Sequence, residues 1–216
     1  MTLRFLIPIA VIGSMLAMVT PTASAARQAR LDIPACEELL TVPEAKNAMG
    51  EPIANILQRE VRDDTRVCAY WGGSKGAKAI GHSIGVNWGP FADFRKRAGG
   101  LAKKSICAAS QKACDRIADA VSLRRDRASF AALADGLDHV GVVRPLPAAA
   151  FKGSPAFLWK PGSGLAEGLA EAAWVFVYDA KSAHMLQVLC TDADAGAPDT
   201  ACAIAAAKRA FGNITS

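Results

Sequence analysis

Residues 80–88 alternate strictly. Ile80, His82, Ile84, Val86 and Trp88 share one face, and Gly81, Ser83, Gly85 and Asn87 share the other. That is the period of a half-buried strand. Arg66 to Trp71 reads as a strand before it, another is expected around Ile56 to Arg62, and Gly72 to Gly76 reads as a hairpin loop. Ala173 to Tyr178 and His184 to Cys190 are two apolar runs split by a polar turn, which predicts a second hairpin. Helical signals bracket these strands. Thr41 is a good N-cap, Pro43 suits a first turn and Glu44 sits at the capping-box position, so a helix should run from there to near Gly50, with Pro52 beyond. After the break at Gly89-Pro90, the stripe Phe91, Phe94, Ala98 and Leu101 has helical spacing. Asp199 should cap a last helix, Thr200 to Phe211, ending at Gly212.

Between about residues 99 and 161 the pattern loosens. An Ala-rich helical stretch near Ser129 to Leu133 and a Pro-rich run from Pro145 to Pro155 stand out. This segment reads as an irregular helical and loop insertion carrying Cys107 and Cys114. Strands come in hairpins rather than singly between helices, which predicts an α+β domain, an antiparallel sheet with helices packed on it. The small face of the Ile80–Trp88 strand is expected to admit a helix closely.

The N-terminus changes the setting. Arg4 is a positive n-region, Phe5 to Val19 is apolar, and Ala23-Ser24-Ala25 is a small-x-small cleavage signal. The expectation is a signal peptide over 1–25 and a single domain over 26–216. An uncleaved anchor is the alternative, but Pro8 and Gly13 interrupt a run already short for a span. No cysteine sits at the cleavage site for lipid attachment, and no later stretch is apolar enough to cross a bilayer. The protein is therefore expected to be periplasmic or secreted.

All six cysteines, Cys36, Cys68, Cys107, Cys114, Cys190 and Cys202, lie beyond that signal. An even count in an exported chain favours disulfides, with about fifteen possible pairings. Sequence neighbours are the expected partners: Cys36 with Cys68, Cys107 with Cys114, Cys190 with Cys202. A zinc site or a redox enzyme would want a CxxC pair. None exists, and histidines are few and scattered. The formal net charge is +5. Basic clusters at 95–97, 103–104 and 124–127 read as solvated helix faces rather than a nucleic-acid surface, because few aromatics interleave with them.

Cys36-Glu37-Glu38-Leu39-Leu40-Thr41 followed by Ala48-Met49-Gly50 resembles the opening helix of small exported actinobacterial lipoproteins of unknown function, whose domain has a PsbP-like α+β fold. Gly168 to Trp174 is similar to their lead into a strand hairpin, and the terminal Ala-rich helix is similar too. The match covers roughly residues 35–95 and 165–212. It departs at the missing lipid-attachment cysteine and in the segment of Cys107 and Cys114. The resemblance implies the fold, a pairing of the first cysteine with one in a strand like Val67 to Trp71, and a binding or adaptor role. It carries over no catalytic residue.

The motif richest in possible chemistry is Gly81-His82-Ser83-Ile84-Gly85, which matches G-x-S-x-G. A serine nucleophile needs a tight turn between an apolar strand and a helix. Here Ala77 to Ile80 is a weak strand, Val86 to Pro90 is a poor helix start, and the alternation runs straight through the motif. Asp138, His139 and His184 are available as partners, and Asp192 has no His after it. Gly72 to Lys78 lacks the Walker ending, and Asp192 to Gly196 lacks the final calcium-loop Glu because Ala203 stands there. His82 reads as a core-facing or edge histidine, and Trp71, Trp88, Trp159 and Trp174 as core anchors. No catalytic, cofactor or metal residue is nominated. The expected function is a non-catalytic envelope binding or adaptor domain, its partner an envelope protein or small ligand, with a partner surface on the segment 99–161. The alternatives are a small serine esterase using Ser83 and an exported inhibitor or immunity protein.

Overall fold

Thr41 starts the first regular helix as its sequence dictates. Its backbone and side chain both reach Glu44 Oε2, at 3.0 and 2.9 Å, and its own Oγ1 faces the Glu44 N–H. The helix ends at Gly50, whose φ of 75° is the left-handed conformation that glycine adopts without strain. The computed structural model describes residues 33–60, 65–72, 82–94, 106–122, 126–165, 172–192 and 198–215. The signal segment, Ile80 and Gly81, Gly73 to Lys78, the clusters at 95–97 and 103–104, Arg124-Arg125, Ala98 and Leu101, Gly168 to Glu171 and Asp194 to Gly196 lie outside the described residues.

The helices include α1 (Cys36–Leu39), α2 (Val42–Met49), α3 (Gln111–Ser122), α4 (Asp126–Asp138) and α5 (Thr200–Ile214), with short turns of helix at Cys107–Ala109 and Ala148–Phe151. The strands are β1 (Ile53–Glu60), β2 (Arg66–Gly72), β3 (Ser83–Pro90), β4 (Gly141–Leu146), β5 (Ala156–Pro161), β6 (Ala172–Asp179) and β7 (His184–Thr191). They form one seven-stranded sheet of order β1-β2-β3-β7-β6-β5-β4. Every neighbouring pair is antiparallel. The fold class is the expected α+β.

The sheet buries both faces in part. On one, Cys68, Tyr70, Ile84, Val86, Val175, Leu186 and Val188 pack against α1, α2 and α5. On the other, Phe157, Trp159, Phe176, Tyr178 and Met185 join Phe91, Ile117, Phe130 and Leu137, so α3 and α4 cover the β4–β5–β6 half. Gly136 brings those helices together: a Cβ there would lie 2.6 Å from Ile117 Cγ1 and 3.2 Å from the Ile117 nitrogen.

Three expectations need correction. Part of the segment read as an insertion, residues 141–161, supplies β4 and β5 to the main sheet. Pro145 disguised β4, yet proline is tolerated on an edge strand. β5 was hidden because Ala156-Phe157-Leu158-Trp159 is buried on both faces and shows no alternation. The helix packed on β3 lies on its large face with Ile84, Val86 and Trp88, not on its small one. Leu189 from the neighbouring strand folds over Gly85 instead. The last helix passes Gly212 and ends at Ile214.

All three disulfides join the expected sequence neighbours. Cys36–Cys68 ties α1 to β2, Cys190–Cys202 ties β7 to the first turn of α5, and Cys107–Cys114 pins the entry to α3.

Candidate functional site

At one end of the sheet three distant pieces of chain converge. Pairing of Ser83 with Thr191 sets the start of β3 beside the end of β7. The Cys190–Cys202 disulfide then holds the N-terminus of α5 against the same place. Asp199, the expected cap of α5, accepts the Cys202 N–H on Oδ1 at 2.9 Å. Its Oδ2 faces His82 Nε2 at 3.1 Å, and the other ring nitrogen, Nδ1, lies 3.5 Å from Glu51 Oε1. The His82 side chain is 14% exposed, so the ring is held between two carboxylates with little room for water. His82, read as a core-facing or edge-strand histidine, is a polar bridge between Glu51 and Asp199. Asp199 was legible only as a cap, and Glu51 carried no signal.

The serine-nucleophile constellation is not assembled. Ser83 is extended strand, and its Oγ lies 2.7 Å from Thr191 Oγ1. His184 sits at the opposite end of β3, in register with Pro90, and stacks on Trp88 with ring centroids 5.0 Å apart. Asp138 and His139 precede β4, which lies at the far edge of the sheet from β3, and Asp138 Oδ1 accepts the Val143 N–H at 3.0 Å. Ala203, where a calcium loop would need its Glu, is buried inside α5.

The second face of the sheet divides in two. Under α3 and α4 it is closed by aromatic rings: Phe91, Phe130 and Tyr178 touch one another, and Phe157 stacks on Phe176 at 4.9 Å. Beyond them, across β2, β3 and β7, lie Val67, Ala69 and Trp71, then Ser83, Gly85 and Asn87, then Gln187, Leu189 and Thr191, all half-buried. Asn87 Nδ2 donates to Gln187 Oε1 at 3.1 Å across this floor. Trp174, in register with Leu189, marks its border with the aromatic half and packs 6.2 Å from Trp159. The Trp159 and Trp174 indole N–H groups are buried without a hydrogen-bond partner. Trp88 and Trp159 are the core anchors expected, while Trp71 and Trp174 are only half-buried.

Among the described residues no helix is long and apolar enough to cross a membrane. No family model, curated protein or solved structure matches the chain.

Proposed function

We propose that the protein is an exported, non-catalytic binding or adaptor domain of the cell envelope, and that the half-buried floor of β2, β3 and β7 is where its partner sits. The observation that carries this reading is the Trp174 indole. Its N–H is buried and unpartnered at the border of a half-buried floor that mixes small, amide and apolar side chains. A buried donor without an acceptor costs about 1–3 kcal/mol, which a ligand carbonyl or carboxylate would recover. Ala69 and Ser83 are small, Leu189 covers Gly85, Trp71 and Trp174 offer flat apolar contact, and Asn87 and Gln187 offer amide pairing. The three disulfides and the resemblance to exported PsbP-like domains support the compartment. The strand geometry of Ser83, with Thr191 as its neighbour, favours binding over hydrolysis.

The test is site-specific photo-cross-linking of the oxidised protein in its own envelope. A photoreactive residue at Asn87 should trap one dominant partner, and the same residue at Lys208, on the exposed side of α5, should not. Equal trapping at both positions would remove the floor as the site. If the partner is an enzyme held in a one-to-one inactive complex, the role is that of an inhibitor. Labelling by a fluorophosphonate that is lost in Ser83→Ala would replace the binding reading with the esterase.

A further inference from the structure

The His82 corner holds more than an ion pair. His82, Asp199 and Cys202 each offer a ligand atom, and these atoms lie within 4.8 Å of one another. Cys202 is bonded to Cys190, so a second sulfur is at the same spot. Sequence spacing hides this set, because it draws on the start of β3, the end of β7 and the cap and first turn of α5.

We propose that these residues form a zinc site in the dithiol state of the protein, with Cys190, Cys202, His82 and Asp199 as ligands, and that disulfide formation and zinc binding exclude each other there. Two thiolates, an imidazole and a carboxylate are a tetrahedral zinc set. Zinc–ligand bonds of about 2.0–2.3 Å place neighbouring ligand atoms roughly 3.3–3.8 Å apart. The His82–Asp199 distance of 3.1 Å and the 4.8 Å span of His82, Asp199 and Cys202 call for shifts of about 1 Å, and Cys190 joins them only once the disulfide opens. The outer shell is in place. Glu51 Oε1 faces His82 Nδ1, as carboxylates do behind metal-bound imidazoles, and the Cys202 N–H fixes the other oxygen of Asp199. Cys202 lies in the first turn of a fifteen-residue helix, where the backbone N–H groups favour a thiolate. Cys190 and Cys202 are 0% and 1% exposed, so burial opposes two free thiolates and a bound dication would offset that cost.

The exchange balances with a thiol reductant. Two small thiols supply two electrons and two protons and become one disulfide. The Cys190–Cys202 bond opens to two thiols, and zinc displaces their two protons to solvent.

The test poises the folded protein in thiol–disulfide redox buffers with and without zinc and maps each cysteine pair by alkylation and mass spectrometry. Saturating zinc should shift the reduced-to-oxidised ratio of Cys190–Cys202 at least tenfold and leave the other two pairs unchanged. His82→Ala should abolish most of that shift. Cobalt added to the fully reduced protein should give one equivalent of thiolate-to-cobalt charge-transfer absorption, weakened by Asp199→Asn. No zinc effect on the pair would overturn the proposal. So would an equal effect on all three pairs, or one that survives His82→Ala, since both mark generic binding by unfolded thiols. The proposal does not depend on the partner-binding floor.

Discussion

Glu44 and Tyr70 hold the junction of α1, α2 and α5 through single side chains. Burial pushes the Glu44 carboxyl up, but the Thr41 N–H, the Asn213 amide, the Thr41 hydroxyl and the charge of Arg209 together hold it below the usual range. Asn213 Nδ2, from the end of α5, reaches Glu44 Oε2 at 3.0 Å and the Leu39 carbonyl at 3.3 Å. A depressed folded-state pKa means that the stabilisation is present above the unfolded value of about 4.3 and is lost as pH falls through the lower folded value. Glu44→Gln should therefore be less stable than wild type at neutral pH, by about 1 kcal/mol, and the difference should vanish in acid. Chemical denaturation across pH 2–7 (roughly the window set by the ordinary carboxyl range) checks both halves. Tyr70 is fully buried, its hydroxyl 2.6 Å from the Cys36 carbonyl and 2.8 Å from that of Leu40. Burial, then the carboxylates of Glu37 and Glu44, push its pKa up. Here the raised folded-state value gives stability that is full below the unfolded value and lost as pH climbs past about 10. Tyr70→Phe should cost about 1–3 kcal/mol at neutral pH by removing the one hydroxyl proton these two buried carbonyls share, although the Cys36 carbonyl keeps the Leu40 N–H. The gap to wild type should narrow in alkali, read from denaturant midpoints.

At the scale of elements, the helix pair α3–α4 depends on a residue that its own helix would rather not have. Glycine in a helix interior costs about 1 kcal/mol against alanine. Gly136 nonetheless occupies the contact, because a methyl group there meets Ile117 at 2.6 Å. Gly136→Ala should therefore lower stability by about 1–3 kcal/mol despite its better propensity, through forced separation of the helices. A gain in thermal stability would show that α3 simply moves aside. The strands show a related compensation. β4 is an edge carrying Val142 at 62% exposure, and an open edge invites pairing with other chains. Asp138 occupies the Val143 N–H, and Pro145 has no N–H to offer. Asp138→Ala together with Pro145→Val should raise self-association, measurable by sedimentation, while the monomer keeps its fold.

For the whole molecule, the disulfides tie pieces that the sheet alone leaves loosely held. In the chain-entropy account, stabilisation grows with the length of the closed loop. The separations are 32, 12 and 7 residues for Cys36–Cys68, Cys190–Cys202 and Cys107–Cys114. Paired Cys→Ser replacements should then cost about 4, 3 and 2 kcal/mol in that order. The first two pairs are also in the core, where a polar replacement costs more, while Cys107 and Cys114 are only half-buried. Inversion of the order in thermal unfolding would mean that residual structure in the unfolded chain dominates.

Local physics made much of this legible in the sequence. The Thr41–Glu44 box, the Gly50 cap, the Asp199 cap and the β6–β7 hairpin are written within a few residues of one another, so spacing alone determined them. The neighbour pairing of the cysteines was the expected one among about fifteen, although only Cys107 and Cys114 lie within a few residues of each other. β4 and β5 were not, because a doubly buried strand loses its alternation and an edge strand tolerates proline. The choice of which face of β3 receives α5 was not legible either. Leu189, a neighbour brought by strand order, lies over Gly85 on the small face, and the Cys190–Cys202 disulfide holds α5 on the other. The candidate sites lie entirely on the tertiary side. Glu51, His82, Asp199 and the Cys190–Cys202 pair meet only because the β1–β2–β3 pairing, the β3–β7 register and one disulfide bring four separate segments to one end of the sheet. The half-buried floor proposed for a partner exists only because the register of three strands places Ala69, Trp71, Ser83, Asn87, Gln187 and Leu189 on one side. The sequence by itself determined the capped helices α2 and α5 and the β6–β7 hairpin, where the signals are local. The fold decided which residues share a site, because contacts across the sheet follow strand order and register, and no local pattern encodes those.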